Sequence, residues 1–206
     1  MKRTLVIALA AASVSVAASA PLSAQRIAPN QFAIDGAIGF AVPAGDYGTG
    51  LNTGLDLMAG LEYRPTGTGP VSFRGEIGWD HFGVSGLTAS SNVIRFAVDA
   101  LYDVVIPNSF LQPYAIAGFG IYNVSENISA ECGTDQFGNP VICSSQSGSN
   151  TGVGINMGGG LRYLLGRNAQ AYFEARYHLA FTGPGELSES PFFPFQFGVR
   201  YLLNGR

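Results

Sequence analysis

From residue 31 onward the chain alternates apolar and polar side chains with a period of two, in segments of about ten residues separated by turn-forming stretches. Such alternation builds strands with one apolar face, and the 3.6-residue period of amphipathic helices is nearly absent. The pattern is clearest over 169–181, where Ala169, Ala171, Phe173, Ala175, Tyr177, Leu179 and Phe181 alternate with Gln170, Tyr172, Glu174, Arg176, His178 and Ala180. Segments 55–64 and 94–104 repeat it, and weaker versions occupy 31–40, 71–80, 152–163 and 193–203. Residues 113–123 read as an eighth strand whose facing the sequence leaves open. Segments of this length suit tilted strands that cross a bilayer, which need ~9–11 residues.

Composition says which solvent the apolar faces meet. Charged residues make up 12% of the chain, about half the ~25% of ordinary soluble proteins. Apolar residues reach 47%, yet past the N-terminus no run of the ~18 residues a transmembrane helix needs is consistently apolar. The net charge of −3 and the lack of a basic run argue against a nucleic-acid partner. Residues 1–24 have the parts of a secretory signal: Lys2 and Arg3, an apolar stretch from Leu5 to Ala12, and Leu22-Ser23-Ala24 before Gln25. Cleavage after Ala24 is the expectation; an uncleaved anchor is the alternative, with a core short for a ~30 Å hydrocarbon layer. The remaining domain, 25–206, holds nine arginines, fourteen acids and no lysine.

Connection lengths are expected to alternate: 41–54, 82–91, 124–151 and 182–191 are long, whereas 65–70, 105–112 and 164–168 are short. Outer-membrane barrels have this pattern, with short periplasmic turns and longer external loops. Fourteen charges fall on the non-apolar parity of the strands: Asp35, Asp56, Glu62, Arg64, Arg74, Glu76, Asp80, Arg95, Asp99, Asp103, Arg162, Glu174, Arg176 and Arg200. All but Asp56, joined by His178, are the expected members of a lumen network, because arginine's fork pairs carboxylates where ions lack water. The competing reading is a soluble, lipocalin-like carrier with these charges on its outside. Glycines on the same parity (Gly39, Gly60, Gly78, Gly154, Gly158, Gly160, Gly198) leave gaps that argue for a water path. Aromatic residues at strand ends, among them Phe32, Tyr63, Trp79, Tyr102, Tyr163 and Tyr201, suit interfacial girdles.

Several phrases carry a resemblance: Val42-Pro-Ala-Gly-Asp-Tyr-Gly48 with Gly50-Leu51-Asn52-Thr53-Gly54, Pro113-Tyr114 leading to Gly118-Phe119-Gly120, and Phe173-Glu174-Ala175-Arg176-Tyr177. With the final strand, they make the chain resemble the small outer-membrane β-barrels of the OmpA/OmpX-like family over nearly all of 30–203. That resemblance implies an all-β fold, an eight-stranded antiparallel up-and-down transmembrane barrel, in the outer membrane of a Gram-negative bacterium. Outer-membrane lipid surrounds it, barrel assembly machinery inserts it, and a monomer is the expected state. Gln196, Gly198, Tyr201 and Leu203 look like the family's assembly signal, although Asn204-Gly205-Arg206 follows them in place of a terminal aromatic residue.

Catalytic chemistry is hard to find. There is no phosphate loop, CxxC, HExxH or GxSxG motif, so no enzyme, cofactor or metal is expected. His81 and His178 have no motif joining them to Ser85 or Ser188. Cys132 and Cys143 stand together in an exported chain, and a disulfide between them is the expectation. Two functions remain open: a structural or surface-interaction barrel with a plugged lumen and an external partner at 124–151, or a narrow porin-like channel for ions or small solutes.

Overall fold

A computed structural model describes residues 31–84, 88–107, 109–134, 140–166, 168–182 and 189–203. The signal segment 1–24 and its cleavage site lie outside them. Eight strands form one closed sheet: β1 (Gln31–Pro43), β2 (Gly54–Arg64), β3 (Val71–Gly83), β4 (Thr88–Asp103), β5 (Leu111–Thr134), β6 (Pro140–Leu164), β7 (Ala169–Phe181) and β8 (Glu189–Leu202). Each strand pairs antiparallel with the next, and β8 returns to β1, with Ala33 opposite Leu202 and Pro43 opposite Phe192. Closure leaves no unpaired edge within the barrel wall, which is what lets a sheet stand in lipid.

The apolar faces point outward. Ile38, Phe96, Phe119 and Phe197 are 58%, 56%, 67% and 60% exposed, while the inward Arg95 and Glu174 are each 0% exposed. A soluble carrier needs the opposite arrangement, so that reading is ruled out. Aromatic pairs occupy the outer surface at both ends of the band: Phe32 stacks on Tyr63 at 4.6 Å near the termini, and Phe40 on Phe195 at 5.2 Å at the far end.

The structure settles the facing of 113–123. Tyr114, Ile116 and Tyr122 are buried inside, whereas Phe119 and Ile121 face out. It also corrects the connections. The stretch 124–151, expected as a loop, is strand up to Thr134 and again from Pro140, with Val124 opposite Asn150 and Ala130 opposite Ser144. Likewise β4 starts at Thr88 and β8 at Glu189, inside stretches expected as loops. Above Ile121 and Val153 the outward positions turn polar, to Asn123 and Thr151, whose side chains bond at 2.7 Å. Eleven-residue stretches, 111–121 and 153–163, therefore lie below this polar boundary, and the rest of the hairpin stands clear of the membrane. Outside lipid a strand needs only its backbone ladder, not an apolar face, and so carries no alternation to read.

Candidate functional site

Among the described residues, the lumen is the place where the wall brings chemistry-bearing side chains together. All fourteen expected network members face inward and are buried, and thirteen of them, with Asp56 added, are joined in ion pairs. They sort into two layers. In the layer nearer the termini, Arg162 reaches Glu62 at 2.9 Å and Asp103 at 2.6 Å, Arg200 reaches Glu62 at 2.8 Å and Asp35 at 3.8 Å, and Arg64 pairs with Asp103. Ser72 donates to Glu62 at 2.6 Å, and Arg200 donates to Gln170 at 2.8 Å.

In the upper layer Glu76 is the hub. Arg176 lies 2.9 Å from it, Arg74 3.2 Å and Arg95 3.7 Å. Arg74 and Arg176 converge on Glu174 at 2.8 and 2.9 Å, and Arg176 also faces Asp99 at 3.4 Å. Arg95 pairs with Asp80 and with Asp56 at 2.8 Å, and Gln196 donates to Asp56 at 2.5 Å. Register explains the convergence: Asp56 is opposite Asp80 on β3, and Gly78 is opposite Arg95 on β4. Tyr114 ties the layers together, donating to Glu174 at 2.5 Å while its ring lies 4.3 Å beneath the Arg162 guanidinium. Nothing in the hydropathy of the chain signals that role, because both faces of 113–123 are largely apolar or small.

Side chains or backbone of neighbouring strands fill the space beside the lumen glycines. Gly78 is covered by Arg95, and an added Cβ there would collide with the guanidinium; Gly198 is likewise covered by the Tyr172 ring. Tyr122, Arg176 and Tyr114 cover Gly154, Gly158 and Gly160 in the same way. Small residues on one strand thus make room for the long side chains of the next.

Above the ions lies an apolar cap that sequence reasoning missed. Ala41, Phe82, Val93, Tyr122, Val124, Ala180 and Phe192 cluster inside the external end, with Tyr47 and Leu51 packed on them. Rings step downward through it: Tyr47 meets Phe82 edge-on at 6.0 Å, Phe82 meets Phe192 at 6.0 Å, and Phe192 stacks on His178 at 5.0 Å. His178 closes the series with a 2.9 Å bond between Nδ1 and the Tyr122 hydroxyl, and it joins no carboxylate. The β1–β2 connection folds over the top, held by Ala44 N–H to Pro191 O at 2.9 Å, Asn52 N–H to Gly83 O at 2.8 Å and Tyr47 to Ser91 at 3.0 Å. Gly45 and Gly50, at φ +59° and +85°, supply its left-handed turns. Burial, more than the nearby Asp80 and Glu126, pushes the Tyr47 phenol up to about 12, so it stays protonated and able to donate.

The remaining sequence candidates are scattered. His81 faces outward, stacked on Trp79 and bonded to Asn92 at 2.9 Å, while Ser85 and Ser188 lie outside the described residues. In the final strand Gln196 and Gly198 serve the lumen, and Tyr201 and Leu203 face out. The side chains of Cys132 and Cys143 lie outside the described residues. No group of residues suited to hold a metal occurs among the described residues.

A closed eight-stranded wall with an ionic interior and an apolar exterior agrees with the family model that matches residues 5–201, the outer membrane protein beta-barrel domain. The chain belongs to that family. Membership of the outer-membrane barrels places it in the outer membrane. Among solved structures it is similar to the surface protein A of Neisseria, at 16% identity and TM-score 0.57 over 82% of this chain and 96% of that one. It is also similar to a major outer membrane protein of Thermus thermophilus, at 14% and 0.56 over 85% and 100%. The attachment invasion locus protein of Yersinia pestis is a third, at 17% and 0.51 over 85% and 100%. At these identities the likeness is one of fold. No curated protein matches the sequence.

Proposed function

We propose that this outer-membrane barrel is a structural or surface-interaction protein whose lumen is a sealed core and whose working surface is the external β5–β6 hairpin. One observation carries the reading: two ion-pair layers and a ring cap occupy successive levels of the lumen, so a solute would have to displace all three. Geometry agrees, since eight strands enclose room for side chains and little else, and aqueous channels use about 16–18. Planar-bilayer recording tests it. Wild-type protein should show no stable large openings, and their appearance would overturn the sealed reading in favour of a narrow channel. Channel activity confined to Glu76→Ala or Arg95→Ala would support the network as the seal.

Biogenesis completes the proposal. The chain is exported by cleavage between Ala24 and Gln25 and inserted by the barrel assembly machinery through Gln196, Gly198, Tyr201 and Leu203 of its last strand. In the oxidising envelope Cys132 and Cys143, on adjoining strands where the register shifts after Ala130, form a disulfide that pins the hairpin tip. Alkylation finding two free thiols in exported protein would refute that bond.

A further inference from the structure

The end of the barrel opposite the hairpin is unequal around its rim. Short connections turn the chain there, and the one between β2 and β3 is polar, Pro65-Thr66-Gly67-Thr68-Gly69-Pro70. It folds on itself, with the Thr68 hydroxyl 2.9 Å from Pro65 O and 3.0 Å from Val71 O. The β4–β5 and β6–β7 connections are apolar instead. Past Tyr102 the outward parity of β4 continues into Val104 and Ile106, and past Tyr163 that of β6 continues into Leu165. Ile106 and Leu165 are exposed, and Phe110, at 69%, is the most exposed large apolar side chain among the described residues, above every one on the lipid-facing wall. Leu164 N–H donates to Phe110 O at 3.3 Å and Leu165 N–H to Ala169 O at 3.0 Å, so backbone bonds join the two apolar connections. Apolar surface this exposed is disfavoured against water, and a contiguous patch marks an interaction surface.

Charge outside the lumen divides by end. Arg26, Arg167 and Arg206 fall in sequence before β1, between β6 and β7, and after β8, and no Asp or Glu occurs in 25–30, 65–70, 104–112, 164–169 or 203–206. The acids outside the lumen, Asp46, Glu126, Glu131, Asp135, Glu186 and Glu189, belong in sequence to the other end. The apolar patch is also continuous with the lipid-facing wall, through the paired neighbours Leu111 and Tyr163, each 48% exposed. An anionic phospholipid surface answers both features: apolar side chains settle at the boundary of headgroups and acyl chains, and arginines are drawn to the phosphates.

We propose that the β4–β5 and β6–β7 connections enter the headgroup layer of the inner leaflet, with Ile106, Phe110 and Leu165 at its acyl boundary and Arg167 adding an attraction for anionic headgroups, while the β2–β3 connection stays in water. The leaflet rests on the reading that the hairpin faces outward, which is tested separately: a maleimide that cannot cross membranes should label Ser147→Cys on whole cells. Absence of labelling would overturn the assignment to the inner leaflet. A nanodisc has the same lipid on both sides, so insertion itself is tested independently of that reading.

The insertion test uses the mature chain carrying Cys132→Ser and Cys143→Ser, in nanodiscs of phosphatidylcholine with phosphatidylglycerol. A nitroxide is attached at Gly166→Cys, where an added side chain meets open space, or at Thr66→Cys. A water-soluble nickel chelate should relax the nitroxide at 66 and fail to relax the one at 166. Equal relaxation at the two sites would overturn the proposal, because both connections would then stand in water. So would protection of 166 seen only in discs that hold two barrels, which would give the patch to a second copy. Phe110→Ser combined with Leu165→Ser should restore nickel access at 166 while the barrel keeps its heat-modifiable band; protection that survives in this folded variant would overturn the role of the apolar tips. Omitting phosphatidylglycerol should weaken the protection in this chain and make no difference once Arg167→Gln is added. Protection indifferent to phosphatidylglycerol would overturn the preference for anionic headgroups.

Discussion

Two levels of the same lumen are filled by opposite means. From Arg64 up to Arg95 the interior is ionic; from His178 to Tyr47 it is made of rings and aliphatic groups. The wall around both is alike, an outward apolar face against lipid, so the difference belongs to the inside alone. Ion pairs are directional and interdependent: each arginine of the upper layer serves at least two carboxylates, and removing one leaves charges with nothing to answer them. Rings in the cap are held by shape, and removing one leaves a hole that neighbours can partly fill. The upper ionic layer is also unbalanced, with Arg74, Arg95 and Arg176 facing Asp56, Glu76, Asp80, Asp99 and Glu174. The lower layer sets Arg64, Arg162 and Arg200 against Asp35, Glu62 and Asp103 and is even.

The comparison breaks most sharply at Arg95. Arg95→Ala strands Asp56 and Asp80 side by side at 0% exposure, and loss of one partner from a buried pair costs about 3–5 kcal/mol. The midpoint of urea unfolding, read as loss of the heat-modifiable band, should fall accordingly. A midpoint equal to wild type would show that the lumen is wet enough to screen its charges. Phe192→Ala comes next, at about 3 kcal/mol for a large-to-small change in a packed cluster, with the ionic seal intact and bilayer conductance still silent. If Phe192→Ala conducts, the cap is the seal and the ion pairs are only scaffolding. Asp80→Asn should cost less than either, because it removes charge from the layer with surplus acid and keeps an acceptor for Arg95. A larger loss from Asp80→Asn than from Arg95→Ala would contradict the account of imbalance.

The ionic level was legible in the sequence and the cap was not, for a physical reason. Charges on one parity of an otherwise apolar strand have only one place to go when the other face meets lipid, so Arg74, Glu76, Arg95 and Glu174 declare the lumen themselves. Phe82, Val93, Tyr122 and Phe192 sit on that same parity but are apolar, and so they erase the alternation where it would have shown the strands continuing. Residues around them therefore read as loops. The hairpin above Ile121 was hidden by the converse: along 144–151 Ser, Gln, Asn and Thr occupy both parities, and backbone pairing leaves no mark in hydropathy. Gly78 and Gly198 read as gaps because a sequence lists each strand alone, whereas Arg95 and Tyr172 fill those places from the neighbouring strands.

The smallest expected effect tests how the cap is fastened. Tyr47→Phe keeps the ring against Phe82 and removes only the 3.0 Å bond to Ser91, worth about 0.5–1.5 kcal/mol. It should loosen the β1–β2 connection, read as faster amide exchange over 44–53, without moving the unfolding midpoint of the barrel. Burial of the same phenol gives the cap a pH limit. The buried phenol is raised from 10.0 to about 12, so the closed connection holds the proton more tightly than an open one. Its contribution is therefore whole below pH 10, declines as an opened Tyr47 begins to ionise, and is lost as pH passes through about 12. Wild-type exchange over 44–53 should accelerate across that alkaline window beyond the rise set by hydroxide catalysis, and Tyr47→Phe should show no such excess. An excess that persists in Tyr47→Phe would assign the opening to a group other than this phenol and leave Ala44–Pro191 and Asn52–Gly83 as the bonds that hold the connection down.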